Sequence, residues 1–214
     1  MTYKHLLGYR WASEHCPEVN LVLKADDDVI VDTLHLGLYI TTFIHNFVEP
    51  FYLCHYLPDQ KIGRDPAFKW FVSEEEFPGH TYPGYCAGWA YVTNPVTIRK
   101  VLDLAETRDD YFWIDDVYVT GVIRPKAVKV YDWSQAFLSS HAQSKTHILE
   151  DDGYSPELLV CADVSPKQMT HVYDKFKQSY SKKWGMDNFY FNHENREAVR
   201  PDLLVDPFEG RDEL

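Results

Sequence analysis

The sequence predicts an α/β domain in which helices cover a sheet, and three observations carry that prediction. The run Asn20-Leu21-Val22-Leu23-Lys24-Ala25 reads as a buried strand that stops abruptly at Asp26-Asp27-Asp28. Asn94-Pro95 is a helix start, asparagine suiting the cap and proline the first helical position. Residues 127–131, Ala-Val-Lys-Val-Tyr, return to a strand pattern after that helix. Strands therefore alternate with helices along the chain.

Taken in order, Tyr3, Leu7 and Trp11 lie four apart and form the apolar stripe of a helix that ends before Cys16-Pro17. The strand and its three carboxylates follow. A second helix is expected from Thr33 to Phe47, with Leu34, Leu38 and Ile44 inward and Asp32 as its cap. Segment 51–72 mixes strand-like Phe51-Tyr52-Leu53 with polar residues and reads as a hairpin or a long loop. Prolines and glycines between Pro78 and Gly88 enforce tight turns before a short strand, Trp89–Thr93. In the helix after Asn94, Ile98, Val101, Leu102 and Ala105 make the i, i+3, i+4, i+7 face. Phe112 to Gly121 embeds a second acid pair, Asp115-Asp116, in apolar residues. Residues 134–155 are polar and loop-like, and Ser165-Pro166-Lys167-Gln168 has the capping-box pattern ahead of Met169, Val172, Tyr173 and Phe176. We therefore expect one domain over residues 1–185 and a polar C-terminal tail over 186–214.

Composition narrows the function classes. The chain has 214 residues, of which 45% are hydrophobic, enough for a sizeable core. A net charge of −12 with no basic stripe argues against a nucleic-acid partner. No apolar run reaches the ~18 residues of a membrane span, and Met1-Thr2-Tyr3-Lys4-His5 does not open a signal peptide. The four cysteines, Cys16, Cys54, Cys86 and Cys161, lack the paired short spacing of a zinc site; two disulfides and free thiols both remain open.

Adjacent carboxylates repel, so Asp26-Asp27-Asp28 calls for a compensating cation, and a hard divalent ion such as magnesium or manganese suits oxygen ligands. The alternative is a solvated acidic turn. Asp115 and Asp116 offer a carboxylate whose desolvation raises its basicity, or else simply the acidic start of a helix. A metal and a base together suit displacement of a phosphate-type leaving group. No Gly-x-Gly-x-x-Gly, Walker-type loop or His-Glu-x-x-His is present, and an EF-hand fails because Val31 takes the place of the loop glycine. Gly84-Tyr85-Cys86-Ala87-Gly88 has the form of a cysteine nucleophile elbow, but prolines precede it and a strand-like run follows, inverting the required context.

Several segments together resemble the β-1,3-glycosyltransferase family of galactosyl- and N-acetylglucosaminyltransferases. Lys24-Ala25-Asp26-Asp27-Asp28-Val29 matches its Lys-x-Asp-Asp-Asp-Val element. Glu75 to Val92 is similar to its Glu-x-x-Pro…Tyr-Pro-x-Tyr-Cys-x-Gly-x-x-Tyr-Val stretch, and Ile114-Asp115-Asp116-Val117-Tyr118 to its Glu/Asp-Asp-Val-Tyr element. Thr2-Tyr3-Lys4-His5 resembles its Leu-Thr-x-Lys-Thr helix. The resemblance covers residues 1–125 well and the rest loosely.

This resemblance implies a GT-A type, Rossmann-like nucleotide-sugar transferase domain with its N-terminal part missing. It implies an inverting, metal-assisted hexosyltransferase that moves galactose or N-acetylglucosamine from a UDP-sugar to a glycan hydroxyl in β-1,3 linkage. The acceptor would sit on a glycoprotein or glycolipid, and the cofactor would be Mn2+ or Mg2+. Asp28 would be the main metal ligand, with Asp26 beside the metal and ribose and Asp27 supporting. Asp116 would take the acceptor proton, Asp115 would position the acceptor, and Gly84, Gly88 and Trp89 would shape the sugar pocket, although core packing would equally account for Trp89. The family domain begins roughly a hundred residues earlier, an ordinary fraction of a domain, so strands contacting uracil and a membrane anchor are expected upstream. Golgi residence would depend on that anchor. Arg211-Asp212-Glu213-Leu214 resembles an endoplasmic-reticulum retrieval signal, which would make that compartment the other choice; a chance acidic tail reads equally well. Cys161 stands where some members have a histidine ligand, leaving His141 or His147 as substitutes. A truncated relative acting only by binding is the alternative to an enzyme.

Overall fold

The computed structural model describes residues 1–43, 48–138 and 160–184, and these fall into two compact units. The first draws on Met1–Ala25 and Asn46–Trp133; the second begins at Asp26 and resumes at Ser134.

The first unit contains α1 (Thr2–His15), β1 (Val22–Ala25), β3 (Phe51–Leu57), β4 (Tyr85–Thr93), α3 (Pro95–Glu106), a π-helix (Val117–Val122) and β5 (Lys129–Asp132). The second contains β2 (Ile30–Val31), α2 (Thr33–Phe43), β6 (Phe137–Leu138), β7 (Val160–Cys161) and α4 (Pro166–Trp184). The α/β expectation holds, and the sheet is mixed. Its order is β1-β4-β3-β5, with β1/β4 and β3/β4 antiparallel and β3/β5 parallel. The small second sheet runs β2-β7-β6.

Local chemistry explains the element ends. Asn94 Oδ1 accepts the Thr97 N–H at 2.9 Å and Pro95 opens α3, as the sequence predicts. Ile98 and Val101 of α3 then pack against Tyr52, Tyr91, Val119 and Val130 in the core. Each such apolar side chain, fully buried, stabilises the fold by about 1.5–3 kcal/mol. In the second unit, Asp32 Oδ1 accepts the His35 N–H at 3.1 Å, so Asp32 caps α2 as expected. The Ser165–Gln168 capping box is formed as well: Gln168 Oε1 accepts the Ser165 N–H at 3.0 Å while Ser165 Oγ faces the Gln168 N–H. Leu34, Val172 and Phe176 form that unit's small core, with Leu38 packed against it.

Several expectations need correction. Tyr3, Leu7 and Trp11 are exposed, at 67%, 63% and 59%; α1 instead buries Thr2, His5 and Tyr9. The polar side chains go inward because each finds a partner there, Thr2 Oγ1 donating to the Phe112 carbonyl at 2.6 Å. The β1 strand is not buried but alternates half-buried and exposed, as an edge strand does. The predicted short strand Trp89–Thr93 runs nine residues from Tyr85: β4 sits between two neighbours, pairing with β3 at both of its ends and with β1 over Ala90–Thr93, with a register shift between. Segment 51–72 is a strand followed by a long ordered loop. Arg64 holds that loop, donating to the carbonyls of Val72, Phe77 and Gly79 at 2.7–2.8 Å. Tyr173 of α4 is exposed rather than part of the inward face. Ile44, His141, His147, the tail beyond Trp184 and the terminal Arg211–Leu214 lie outside the described residues.

Candidate active site

The first unit gathers its chemistry around Asp115 and Asp116. Asp116 stands where the chain turns into the π-helix. Its Oδ1 accepts the Val117 N–H at 2.8 Å and its Oδ2 accepts the Gly88 N–H from β4 at 3.0 Å. The helix behind is tied to the same strand, since Thr120 Oγ1 donates to the Asp116 carbonyl at 2.7 Å and accepts the Cys86 N–H at 2.9 Å. The carboxylate is thereby aimed by two elements. Burial pushes the Asp116 carboxyl up to about 6, with the Asp115 charge adding to the rise, while the Val117 and Gly88 N–H groups and Lys24 act against it.

Gly88 is a glycine for a steric reason. A Cβ there would lie 2.9 Å from Asp116 Oδ2 and 3.0 Å from its Cβ and Cγ, so only a bare backbone lets the carboxylate approach. At Gly84 an added Cβ would run into the Tyr56 hydroxyl. Trp89, predicted to stack on sugar, is half-buried with its ring centroid 6.1 Å from that of His55.

Asp115 behaves oppositely to its neighbour. Burial would raise its carboxyl, but His5 and, more weakly, Lys24 hold it below the usual carboxylate range. His5 Nδ1 lies 3.0 Å from Asp115 Oδ2 and His5 Nε2 meets the Tyr91 hydroxyl. Tyr91 is 2.5 Å from the Tyr9 hydroxyl, which is 3.3 Å from that of Tyr52. Lys24 Nζ donates to the Gly88 carbonyl. The sequence reading missed His5, Tyr9, Tyr52, Tyr91 and Lys24. One signal was available: His5 occupies the second threonine of the Leu-Thr-x-Lys-Thr pattern and lies one helical turn from Tyr9.

The predicted metal residues open the second unit. Asp26, Asp27 and Asp28 are exposed on a tight turn in which the Asp26 carbonyl accepts the Val29 N–H at 3.3 Å. The Asp28 carbonyl accepts the Val164 N–H at 2.8 Å, which fixes the end of the turn. Among the described residues no three His, Cys, Asp or Glu side chains gather into a metal-holding group. Asp26 and Asp28 still offer hard carboxylate oxygens, a donor set that fits a manganese or magnesium ion completing its shell with water and phosphate. Cys161 is buried, its Sγ facing the Ala162 carbonyl at 3.8 Å, an environment unlike that of an exposed ligand.

The cysteine-nucleophile alternative is corrected outright. Cys86 is bonded to Cys54 across β3 and β4, so it carries no thiol to attack with, and Cys86 lies inside a strand rather than at a strand-to-helix elbow.

Comparison with known proteins places the chain among glycosyltransferase sequences. A family model described as Galactosyltransferase matches residues 1–132. The rat lactosylceramide 1,3-N-acetyl-beta-D-glucosaminyltransferase is 28% identical over 164 residues, covering 74% of this chain and 43% of the relative. A Xenopus laevis protein of the same name, form B, is 31% identical, covering 69% and 38%. The mouse acetylgalactosaminyl-O-glycosyl-glycoprotein beta-1,3-N-acetylglucosaminyltransferase is 33% identical, covering 56% and 30%. The chain thus spans less than half the length of these relatives.

Proposed function

The chain belongs to the galactosyltransferase family, and on that premise we propose that it carries the acid machinery of an inverting β-1,3-glycosyltransferase using a UDP-sugar. The observation that carries the reading is Asp116: a carboxylate desolvated enough to bind a proton near neutrality, yet held in one orientation by two backbone N–H groups. That is what a general base for a sugar hydroxyl requires.

In this reading the acceptor hydroxyl gives its proton to Asp116 as its oxygen bonds to the anomeric carbon. The bond from that carbon to UDP breaks on the opposite face, so the configuration inverts, by the face-opposition logic of inverting glycosidases. Asp115, kept charged by His5, stands beside the base, Gly88 leaves room for the Asp116 carboxylate against β4, and Gly84, Gly88 and Trp89 would shape the sugar pocket. Asp28 and Asp26 would hold the divalent ion, with Asp27 supporting. Once bound, that ion would neutralise charge on the diphosphate.

Donor and acceptor follow from chemistry and kinship. The relatives' names support N-acetylglucosamine as the sugar and a glycolipid or glycoprotein glycan as the acceptor. The Cys54–Cys86 disulfide supports an oxidising lumen, consistent with a Golgi location.

The test is transfer from labelled UDP-N-acetylglucosamine and UDP-galactose to β-galactoside acceptors by the full-length form, with manganese and after chelation. Manganese-dependent transfer abolished by Asp28→Ala and by Asp116→Asn is the expected result, and full activity in either variant overturns that residue's role. Calorimetry of the 214-residue chain with UDP and manganese separates this reading from a binding-only relative. No UDP affinity would favour the latter.

A further inference from the structure

We propose that His5 is a positioning residue for the carboxylate pair, fixing Asp115 in one orientation and itself terminating a one-way chain of tyrosine hydroxyls that runs from the core of the first unit. The catalytic consequence rests on Asp116 acting as the base; the chain itself does not.

The argument starts from who can donate. An ionised carboxylate only accepts, so the His5 nitrogen 3.0 Å from Asp115 carries a proton and donates. With a single proton on the imidazole, only Nε2 is left, as an acceptor, and Nε2 faces the Tyr91 hydroxyl. Tyr91 has one proton. Giving it to His5 obliges its oxygen to accept from Tyr9 at 2.5 Å, and Tyr9 in turn accepts from Tyr52 at 3.3 Å. The order Tyr52, Tyr9, Tyr91, His5, Asp115 is therefore directional, each member donating to the next. A second proton on His5 would make Nε2 a donor and reverse every hydroxyl.

Burial keeps the chain intact. Tyr52 and Tyr91 are fully buried, Tyr9 is 3% exposed and His5 is 8% exposed. Desolvation raises all three phenols well above their usual range, so none becomes a phenolate that would interrupt the sequence of donors. The groups facing the cluster are Tyr9 from α1, Tyr52 from β3, Tyr91 from β4, Lys24 from β1, Asp116 beside the π-helix and Arg124 beyond it, whose charge acts on Tyr52. His5 bonds Asp115 through Nδ1 and meets Tyr91 through Nε2, joining the carboxylate to the tyrosines. Because the charge of Asp115 adds to the proton affinity of Asp116, a residue that fixes that charge also tunes the base.

Nitrogen and carboxyl-carbon NMR of the 214-residue chain tests the proposal without reference to sugar transfer. The wild-type chain is expected to hold His5 in the tautomer protonated on Nδ1 with Nε2 bare; the opposite tautomer overturns the chain. In His5→Phe the Asp115 carboxyl should titrate higher than in the wild type, since its hydrogen-bonding partner is gone. His5→Asn, whose amide donates from the Nδ1 position, should restore most of the lower value. An Asp115 titration unmoved in His5→Phe overturns the positioning role. Should the variants fail to fold, the wild-type tautomer still decides. If the titrations shift as expected while the full-length form transfers no sugar, the transferase reading falls and the positioning role stands. If transfer occurs with a pH profile and an Asp115 titration both indifferent to His5→Phe, the positioning role falls alone.

Discussion

Asp116 meets two opposing demands, since the burial that makes it basic would also expel its charge without the N–H groups of Val117 and Gly88. Its carboxyl titrates at about 6, above the ordinary value, so it is ionised and competent above that point and protonated below it. Transferase kcat/KM should therefore fall about tenfold per pH unit on the acid side of that value, and a profile flat down to pH ~4, the ordinary carboxylate range, would refute the base assignment. Asp116→Asn should lower kcat by about 10²–10⁴ with UDP-sugar binding retained. Gly88→Ala should push the carboxylate off its N–H donor, lowering stability by about 1–3 kcal/mol; unchanged denaturant unfolding would show that the close approach is not needed. At this scale the sequence marks Asp115 and Asp116 as acids set among apolar residues, which is where the structure has them half-buried. Their partners were not legible, because nothing local pairs His5 with Asp115, residues 110 positions apart.

Among the elements, α3 was the most legible. Its signals are local: a cap, a proline and an apolar face at helical spacing. Asn94→Ala removes the acceptor of the Thr97 N–H and also the donor to the Glu49 carbonyl. A loss of about 1–2 kcal/mol is expected in denaturant titration. The first helix was legible in position but not in orientation. Leu7 and Trp11 are more apolar than Thr2 and His5, while Tyr3 and Tyr9 are alike, so hydrophobicity chose the wrong face; the inward face is set by hydrogen bonds that only tertiary structure supplies. The extent of β4 was hidden because glycine and proline usually interrupt strands. Here the glycine at position 88 is required by the carboxylate against it.

At the level of the whole molecule, the α/β class followed from alternation of patterns, whereas the mixed sheet order and the division into two units depend on contacts between distant segments. The Cys54–Cys86 pair was likewise undetermined, because spacing alone does not select a partner. It closes a separation of 32 residues, which in the chain-entropy view stabilises by about 3–4 kcal/mol. Reduction, or the double variant Cys54→Ser with Cys86→Ser, should lower Tm by several degrees in calorimetry, and an unchanged Tm would deny the bond that role. The same bond secures only the two ends of the β3–β4 connection. What lies between them, residues 58–84, is a long loop anchored in the core by Ile62, Val72 and Tyr82, and loop tips between such anchors are where proteases cut first. Arg64 alone gathers three of its carbonyls. A lysine there would present a single nitrogen on a flexible stem and could not span all three. Arg64→Lys should therefore convert a chain that resists limited trypsin digestion into one nicked between β3 and β4, its two fragments held together until a reductant is added.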